Sequence, residues 1–270
     1  MQVFANAKIN LGLNVVGRRN DGFHEIESIF LPIDLVDEII ISPSKKDSFY
    51  SNHAHLPLDV HQNLCFKALQ LLRKDFNFPN VHLELKKNIP IGAGLGGGSA
   101  DAAFVLKEIN RQFNLEITPL QLESYAAQLG SDCIFFIQNK AALIAGRGEK
   151  VTVDPAYNVL KGYHLLLVKP DVFVSTRKAY AQLVPQPPKQ SIATLIQQPI
   201  DSWKKYIKND FEETIFKIHP ILEEVKNQLY SLGAVYSSMS GSGSTVYGVF
   251  ESKIDVSTFN TYWWKWAKTL

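Results

Sequence analysis

Cysteine is scarce in this chain. Cys65 and Cys133 are the only two in 270 residues. They form neither a C-x-x-C redox pair nor a zinc-ligand cluster, so they read as buried thiols of a reducing compartment, and a cytoplasmic protein is expected. An excess of one charge is lacking too. The formal net charge is +2 and no Lys/Arg cluster dominates a segment, which argues against a nucleic-acid partner. No apolar run reaches the ~18–20 residues of a membrane span, so no membrane partner is expected. The first stretch, broken by Asn6, Lys8 and Asn10, does not read as a signal peptide. His53, His55 and His61 lie in a polar, proline-containing loop without a clear fourth ligand, so no zinc site is expected there. The H-R-D and D-F-G triplets of protein kinases are missing.

What is present describes an ordinary globular enzyme. Hydrophobic residues make up 46% and charged residues 20%, enough for one large or two modest domains. Val3 to Val16 alternates partly between apolar and polar residues, as a strand or hairpin does, residues 17–22 read as a turn, and His24 to Ile41 as further strand. Leu64 to Phe76 carries helical spacing behind a plausible N-cap, Asn63. Thr118-Pro119-Leu120-Gln121 is a capping-box helix start, with Gly130 as its stop. Beyond Tyr163 to Val168, a strand, the pattern predicts helices over 175–183, 222–232 and 255–268. Strands are predicted over 234–239 and 245–250, and an irregular connector over 185–199. The fold class is mixed α/β, of the α+β kind.

The most informative segment is Pro90-Ile91-Gly92-Ala93-Gly94-Leu95-Gly96-Gly97-Gly98-Ser99-Ala100. Five glycines fall within seven positions, between a strand (Val81 to Leu85) and a helix (Ala102 to Phe113). Glycines let the backbone fold closely around a ligand and turn its amides inward, and a helix N-terminus adds a partial positive charge. Together these suit a phosphate. Ser99 is placed as the N-cap of that helix, with Asp101 in its first turn. The loop lacks the Lys-[Ser/Thr] ending of a Walker A loop. It satisfies G-x-G-x-x-G only weakly, because no second strand ends at an acidic residue downstream.

Four further segments carry polar residues whose roles the pattern alone leaves open. Lys8 and Asn10 share one strand face, either solvated or functional. Asp21-Gly22-Phe23-His24 is a turn presenting an aromatic beside a histidine, which suits a structural histidine against a buried ring as well as a site. Asp132 precedes a very apolar run, as a helix N-cap or as a proton acceptor at the edge of the core. The turn of Gly241 and Gly243 fits a simple hairpin.

Taken in order, A-K-I-N-L, G-R-R-N-D-G-F-H-E, P-I-G-A-G-L-G-G-G-S-A-D-A-A, G-S-D and M-S-G-S-G-S-T-V-Y resemble the GHMP kinase superfamily. Within it they resemble the kinases of the non-mevalonate isoprenoid pathway that act on a cytidine diphosphate alcohol. The resemblance covers residues 5 to about 250. It implies a two-domain GHMP fold, with residues 1–157 holding ATP and residues 158–270 completing a substrate cleft between the domains. The implied reaction transfers the γ-phosphoryl of ATP to the 2-hydroxyl of a methylerythritol unit, with Mg2+ as companion ion and a small molecule as the only required partner. A monomer or weak homodimer is expected. By position, Asp132 matches the proton-accepting aspartate and Lys8 the lysine that orients it. Pro90 to Ala100 would hold the phosphates, with Asn63 near the adenine. Phe23 and Tyr180 match stacking positions for the cytosine, His24 its edge, and Asn10 and Thr176 other substrate contacts. Gly241 and Gly243 mark a further cleft turn. Two departures stand out: Phe23 replaces the usual tyrosine, and Cys133-Ile134 follow Asp132 in place of Val-Pro. Mevalonate and homoserine kinases act on substrates with no base to stack, and a nucleotide sensor would not need both Lys8 and Asp132.

Overall fold

The computed structural model describes residues 1–53 and 59–270; His55 of the histidine-bearing loop lies outside them. Along the chain run β1 (Gln2–Arg18), β2 (His24–Pro43), β3 (Ser48–Ser51), α1 (Leu64–Arg73), β4 (Val81–Lys86), α2 (Gly97–Phe113), α3 (Pro119–Leu129) and α4 (Ser131–Gln138). Then come β5 (Ala142–Gly146), β6 (Lys150–Val153), β7 (His164–Lys169), α5 (Thr176–Ala181), α6 (Ile192–Leu195), α7 (Trp203–Tyr206), α8 (Phe211–Ile218) and α9 (Pro220–Ser231). β8 (Tyr236–Met239), β9 (Val246–Phe250) and β10 (Trp264–Thr269) close the chain. Among the described residues no helix is long and apolar enough to cross a membrane.

Packing divides the chain into two compact units: residues 1–7, 34–91 and 96–140, and residues 8–33, 92–95 and 141–270. The units interleave along the sequence. β1 pairs with β2, and both strands contribute residues to each unit. Both also read legibly as strands. On β2 the odd positions Ile29, Leu31, Ile33, Leu35, Ile39 and Ile41 are all buried, as a period of two demands. One member of that row is Asp37, a carboxylate in an otherwise apolar series.

In the first unit, the Glu38–Pro43 half of β2 pairs antiparallel with β4, and β3 joins β4 in parallel. Helix α1 packs on α2 and α3, and α2 and α3 both pack on α4. The buried faces carry Phe66, Leu69, Leu72, Val105, Leu106, Ile109, Phe135 and Phe136. The caps follow the sequence. Asn63 Oδ1 accepts from the Cys65 amide at 2.8 Å to start α1. Thr118 and Gln121 form a reciprocal capping box on α3, which Gly130 ends.

In the second unit, residues Ile26–Phe30 of β2 pair with β5, and β5 with β6, all antiparallel. A second antiparallel sheet runs β10-β7-β9-β8. Helix α9 packs on β8 and β9, and also on α8, burying Leu222, Val225 and Leu229. Trp203 meets Tyr236 edge-on at 5.5 Å.

Three local expectations give way. The helix over 255–268 is instead a short 3-10 turn (Val256–Thr258) followed by β10. β10 pairs with β7 from Trp264 opposite Lys169 to Thr269 opposite His164, so the edge of β7 captures a Trp-rich segment that fits a pleated surface. The connector over 185–199 contains one helical turn, α6, capped by the Ser191 hydroxyl. Finally, α2 begins at Gly97 rather than after Ser99. Gly96 is its N-cap, Ser99 lies within the first turn, and Asp101 lies beyond it, buried.

Candidate active site

The glycine loop has the conformation its composition requires. Gly92, Gly94 and Gly96 have φ of +65°, +77° and +73°, a region that side-chain-bearing residues rarely adopt. Gly96 passes directly into α2, a helix of 17 residues whose first turn no side chain caps. Its leading amides and dipole are therefore left for an anion. Ile91, Gly92 and Gly98 are exposed, whereas Ala93, Leu95 and Ala100 are buried anchors.

In the second unit, the loop's Gly94 meets the β8–β9 turn. Ser240 Oγ donates to Gly94 O at 2.9 Å, and Thr245 N donates to Ala93 O at 3.2 Å. A Cβ placed on Gly94 would stand 1.9 Å from Ser240 O. The turn of Gly241 (φ +55°) and Gly243 (φ +92°) is thus a hairpin turn, as the plainer reading had it, and also the surface on which Gly94 rests.

Lys8 enters the same network. The solvated-face reading fails, because Lys8 and Asn10 are only 3% and 1% exposed. Lys8 Nζ donates to Asn10 Oδ1 at 2.6 Å and to Gly94 O at 3.1 Å, and lies 4.3 Å from the centre of the Phe30 ring. Asn10 is held in turn: Nδ2 donates to Ser28 Oγ at 3.0 Å, Ser240 Oγ donates to Oδ1 at 3.3 Å, and Tyr247 OH donates to Asn10 O at 2.7 Å. A buried ammonium needs such fixed acceptors, and these aim it beside the glycine loop. Burial also pushes the Tyr247 phenol far above its ordinary range, so it stays a neutral donor.

The residues matched to the base, Phe23, His24 and Tyr180, lie within the same unit. His24 stacks on Tyr180 at 4.8 Å and 20°, and Tyr180 meets Phe211 edge-on at 4.8 Å. Phe23 is 54% exposed, so the buried-ring reading fails. The Arg147 guanidinium lies 5.2 Å from its ring centre. Burial, then the nearby charge of Arg18, lowers the His24 pKa, which leaves the imidazole neutral at pH 7. Thr176 Oγ1 and Ser242 Oγ share a hydrogen bond of 2.8 Å.

Asp132 belongs to the first unit. It sits in the first turn of α4, whose N-cap is Gly130, so it is not the cap residue that the plainer reading made it. The helix dipole favours a carboxylate there. The Cys133 amide donates to Gly130 O at 3.1 Å and continues the turn. The Cys133 side chain is hydrogen-bonded to Ser99 in the first turn of α2. Gly130 lies between them: a Cβ there would be 3.5 Å from Cys133 Sγ and 4.0 Å from Ser99 Oγ. The start of the Asp132 helix thus adjoins the start of the helix behind the glycine loop. Asn63 is buried and committed to capping α1.

Sequence reasoning missed Ser28, Phe30, Ser240 and Tyr247, the supports of Lys8 and Asn10. Single serines and aromatics in strands carry no readable signal. It also missed Asp37 and Lys87, although a lone carboxylate on the apolar row of β2 was legible.

Comparison with known proteins agrees with this geometry. The GHMP kinase N-terminal domain family matches residues 63–140, and the GHMP kinase C-terminal family residues 191–260. Fold and site therefore define a GHMP kinase, a class in which ATP donates phosphate and the acceptor is a small molecule. A 4-diphosphocytidyl-2-C-methyl-D-erythritol kinase of Bacteroides fragilis is 49% identical over 260 residues, covering 94% of each chain. That of Azobacteroides pseudotrichonymphae is 47% identical, covering 96% of this chain and 97% of its own. The crystal structure of a 4-(cytidine 5'-diphospho)-2C-methyl-D-erythritol kinase superposes with a TM-score of 0.77 at 30% identity, covering 92% of this chain and 90% of that one. A homoserine kinase from Cytophaga hutchinsonii shares the fold at 19% identity and a TM-score of 0.63, covering 94% of this chain and 85% of its own. The chain belongs to the 4-diphosphocytidyl-2-C-methyl-D-erythritol kinase family.

Proposed function

We propose that this protein transfers the γ-phosphoryl group of ATP to the 2-hydroxyl of 4-diphosphocytidyl-2-C-methyl-D-erythritol, a step in non-mevalonate isoprenoid precursor synthesis. The observation that carries the reading is the match, over 94% of both chains, to a kinase of that name. The local geometry supports it.

Asp132 is assigned the hydroxyl proton. As the alcohol oxygen bonds to the γ-phosphorus and the bond to the ADP oxygen breaks, the proton passes to the Asp132 carboxylate. Lys8 supplies the fixed positive charge that orients the alcohol and offsets the charge developing on the transferred group. Asn10 bears on the reaction by holding Lys8, since its side chain already meets Lys8, Ser28 and Ser240. Residues 90–100 are assigned the phosphates, through their main-chain amides, and Asn63 is assigned a position near the adenine. Phe23 and Tyr180 offer ring faces to the cytosine, and the neutral His24 can pair with its edge. Thr176 is assigned a further substrate contact. The acceptor is a tertiary alcohol, so alignment contributes at least as much as basicity. Mg2+ carried in with ATP would offset the negative charge of the phosphates. Among the described residues no group of three or more His, Cys, Asp or Glu could hold an ion by itself.

In this reading residues 1–157 carry the nucleotide and residues 158–270 help to line the alcohol site, in a cytoplasmic monomer or weak homodimer. The test is product formation by purified protein with ATP and magnesium, offered the cytidine diphosphate alcohol, mevalonate, homoserine and galactose in parallel. Phosphorylation of the cytidine compound alone is expected. Faster turnover of any of the others would displace the assignment.

A further inference from the structure

Three charged side chains with no part in the transfer chemistry are buried together in the first unit. Asp37 lies on the inward row of β2, Lys87 follows β4, and Asp101 faces them from α2. Lys87 and Asp101 are each 3% exposed and Asp37 is fully covered. Lys87 Nζ donates to Asp37 Oδ2 and, at 2.8 Å, to Asp101 Oδ2. Asp37 Oδ1 accepts from the amides of Asn88 at 2.6 Å and Ile89 at 2.8 Å. A Cβ on Gly97 would lie 3.2 Å from Lys87 Nζ. One cluster therefore fastens the residues leading into the glycine loop and underlies the helical turn leading out of it. Burying three charges is costly, and a well-packed apolar trio would serve stability as well.

We propose that the Asp37–Lys87–Asp101 bridge is the positioning device of the nucleotide loop, and that its net charge sets how tightly the loop holds phosphate. The inference rests on reading residues 90–100 as that loop. With both carboxylates ionised the trio carries one net negative charge, close behind the turn that receives an anion. With one protonated it is neutral. Asp101 is the group that takes the proton. Burial pushes it up to about 8, with Lys87 opposing and Asp37 reinforcing the shift, and its Oδ1 has no hydrogen-bond partner. Burial works to lower Lys87, but Asp101 and Asp37 outweigh it and keep the ammonium protonated. The other titratable group facing Asp101 is Cys65 of α1, with Cys133 of α4 beyond it. Burial pushes both thiols up, Cys133 to about 12, so both are neutral. The sign follows: nucleotide affinity is full below the Asp101 pKa and falls as pH rises through it.

The experiment measures ATP binding and KM for ATP from about pH 7 to about 9, in the wild type and in Asp101→Asn, which keeps the shape and removes the proton. In the wild type KM for ATP should rise roughly threefold or more over that range, with KM for the alcohol unaffected, and in Asp101→Asn the rise should vanish. An equal rise in both proteins, or a flat wild type, overturns the charge claim. Asp37→Asn removes a negative charge, which by itself favours phosphate, and weakens the acceptor of the two amides leading into the loop, so a rise in KM for ATP reports lost positioning. It should raise KM for ATP about tenfold and leave KM for the alcohol unchanged. Equal losses for both substrates would make the bridge merely structural and overturn the positioning claim. Should that variant not fold, the Asp101→Asn profile decides alone. Direct ATP binding separates this proposal from the assigned reaction. A wild type that binds ATP with the stated pH dependence, yet phosphorylates no cytidine alcohol, would defeat the function and leave the bridge standing.

Discussion

Replacing Gly94 by alanine tests whether the loop depends on a backbone-to-backbone contact. The residue has φ +77°, which costs a side-chain-bearing residue about 1–2 kcal/mol. The added Cβ would lie 1.9 Å from Ser240 O, 2.9 Å from Ser240 C and 3.1 Å from Gly243 O. All three are main-chain atoms, so no side-chain rotation relieves the overlap, and the β8–β9 turn or the loop must shift. A shift breaks the Ser240 hydroxyl bond to Gly94 O at 2.9 Å and the Lys8 ammonium bond to the same oxygen at 3.1 Å. These contribute about 0.5–1.5 and about 1.5–3 kcal/mol. Gly94→Ala should therefore lose about 3–6 kcal/mol, a large share of the ~5–15 kcal/mol that holds a protein folded. Gly22→Ala is the control: its φ is +84°, yet nothing lies within 4 Å of its Cβ, so it should bear the backbone cost alone. Urea unfolding of both variants, with steady-state kinetics of Gly94→Ala, measures the difference. The contact argument is refuted if the two variants agree within about 0.5 kcal/mol and Gly94→Ala keeps kcat/KM within about threefold of wild type.

Other perturbations probe the remaining assignments. Asp132→Ala should lower turnover by ~10²–10⁴ with ATP affinity nearly intact; turnover within about threefold of wild type would remove Asp132 from the mechanism. Phe23→Tyr should leave ATP unaffected and either tighten the cytidine substrate, by up to about 0.5–1.5 kcal/mol, or leave it unchanged. A marked loss of substrate affinity would show that the ring packs against protein rather than a base. Because burial and Arg18 lower the His24 pKa, KM for the alcohol should be flat at and above neutrality and rise only below about pH 6.5. A midpoint above about pH 7 would contradict a neutral imidazole at the base. Tyr247→Phe leaves buried Asn10 O without its 2.7 Å donor and should cost about 1–3 kcal/mol in unfolding experiments, with turnover falling as the Lys8 support loosens. Unchanged stability would mean that another donor reaches that carbonyl.

Much of this molecule was legible where the deciding interactions are local. The Thr118–Gln121 capping box, the Asn63 cap and the Gly130 stop depend on atoms a few residues apart, and all stand as the pattern predicts. The strand character of β1 and β2 was also legible, and so was the glycine-rich loop before a helix. Where sequence reasoning failed, the competing partner was remote. The 255–268 segment has tolerable helical spacing, but β7 offered an edge that its Trp264 to Thr269 could extend. Ser99 is a good N-cap residue, yet α2 starts three residues earlier than it would allow, with Gly96 as N-cap in the left-handed conformation.

The motifs and their order pointed to the GHMP kinases by resemblance, and glycine conformation and helix caps were legible beside them because they are properties of short segments. Only the tertiary structure decided what becomes of the charges. Lys8 and Asn10 could have faced solvent, and Asp101 could have served a helix terminus. They are buried instead, because strands and turns distant in sequence close over them and supply the acceptors that make burial tolerable. Desolvation and hydrogen bonding depend on what surrounds an atom in space, and no local pattern encodes that.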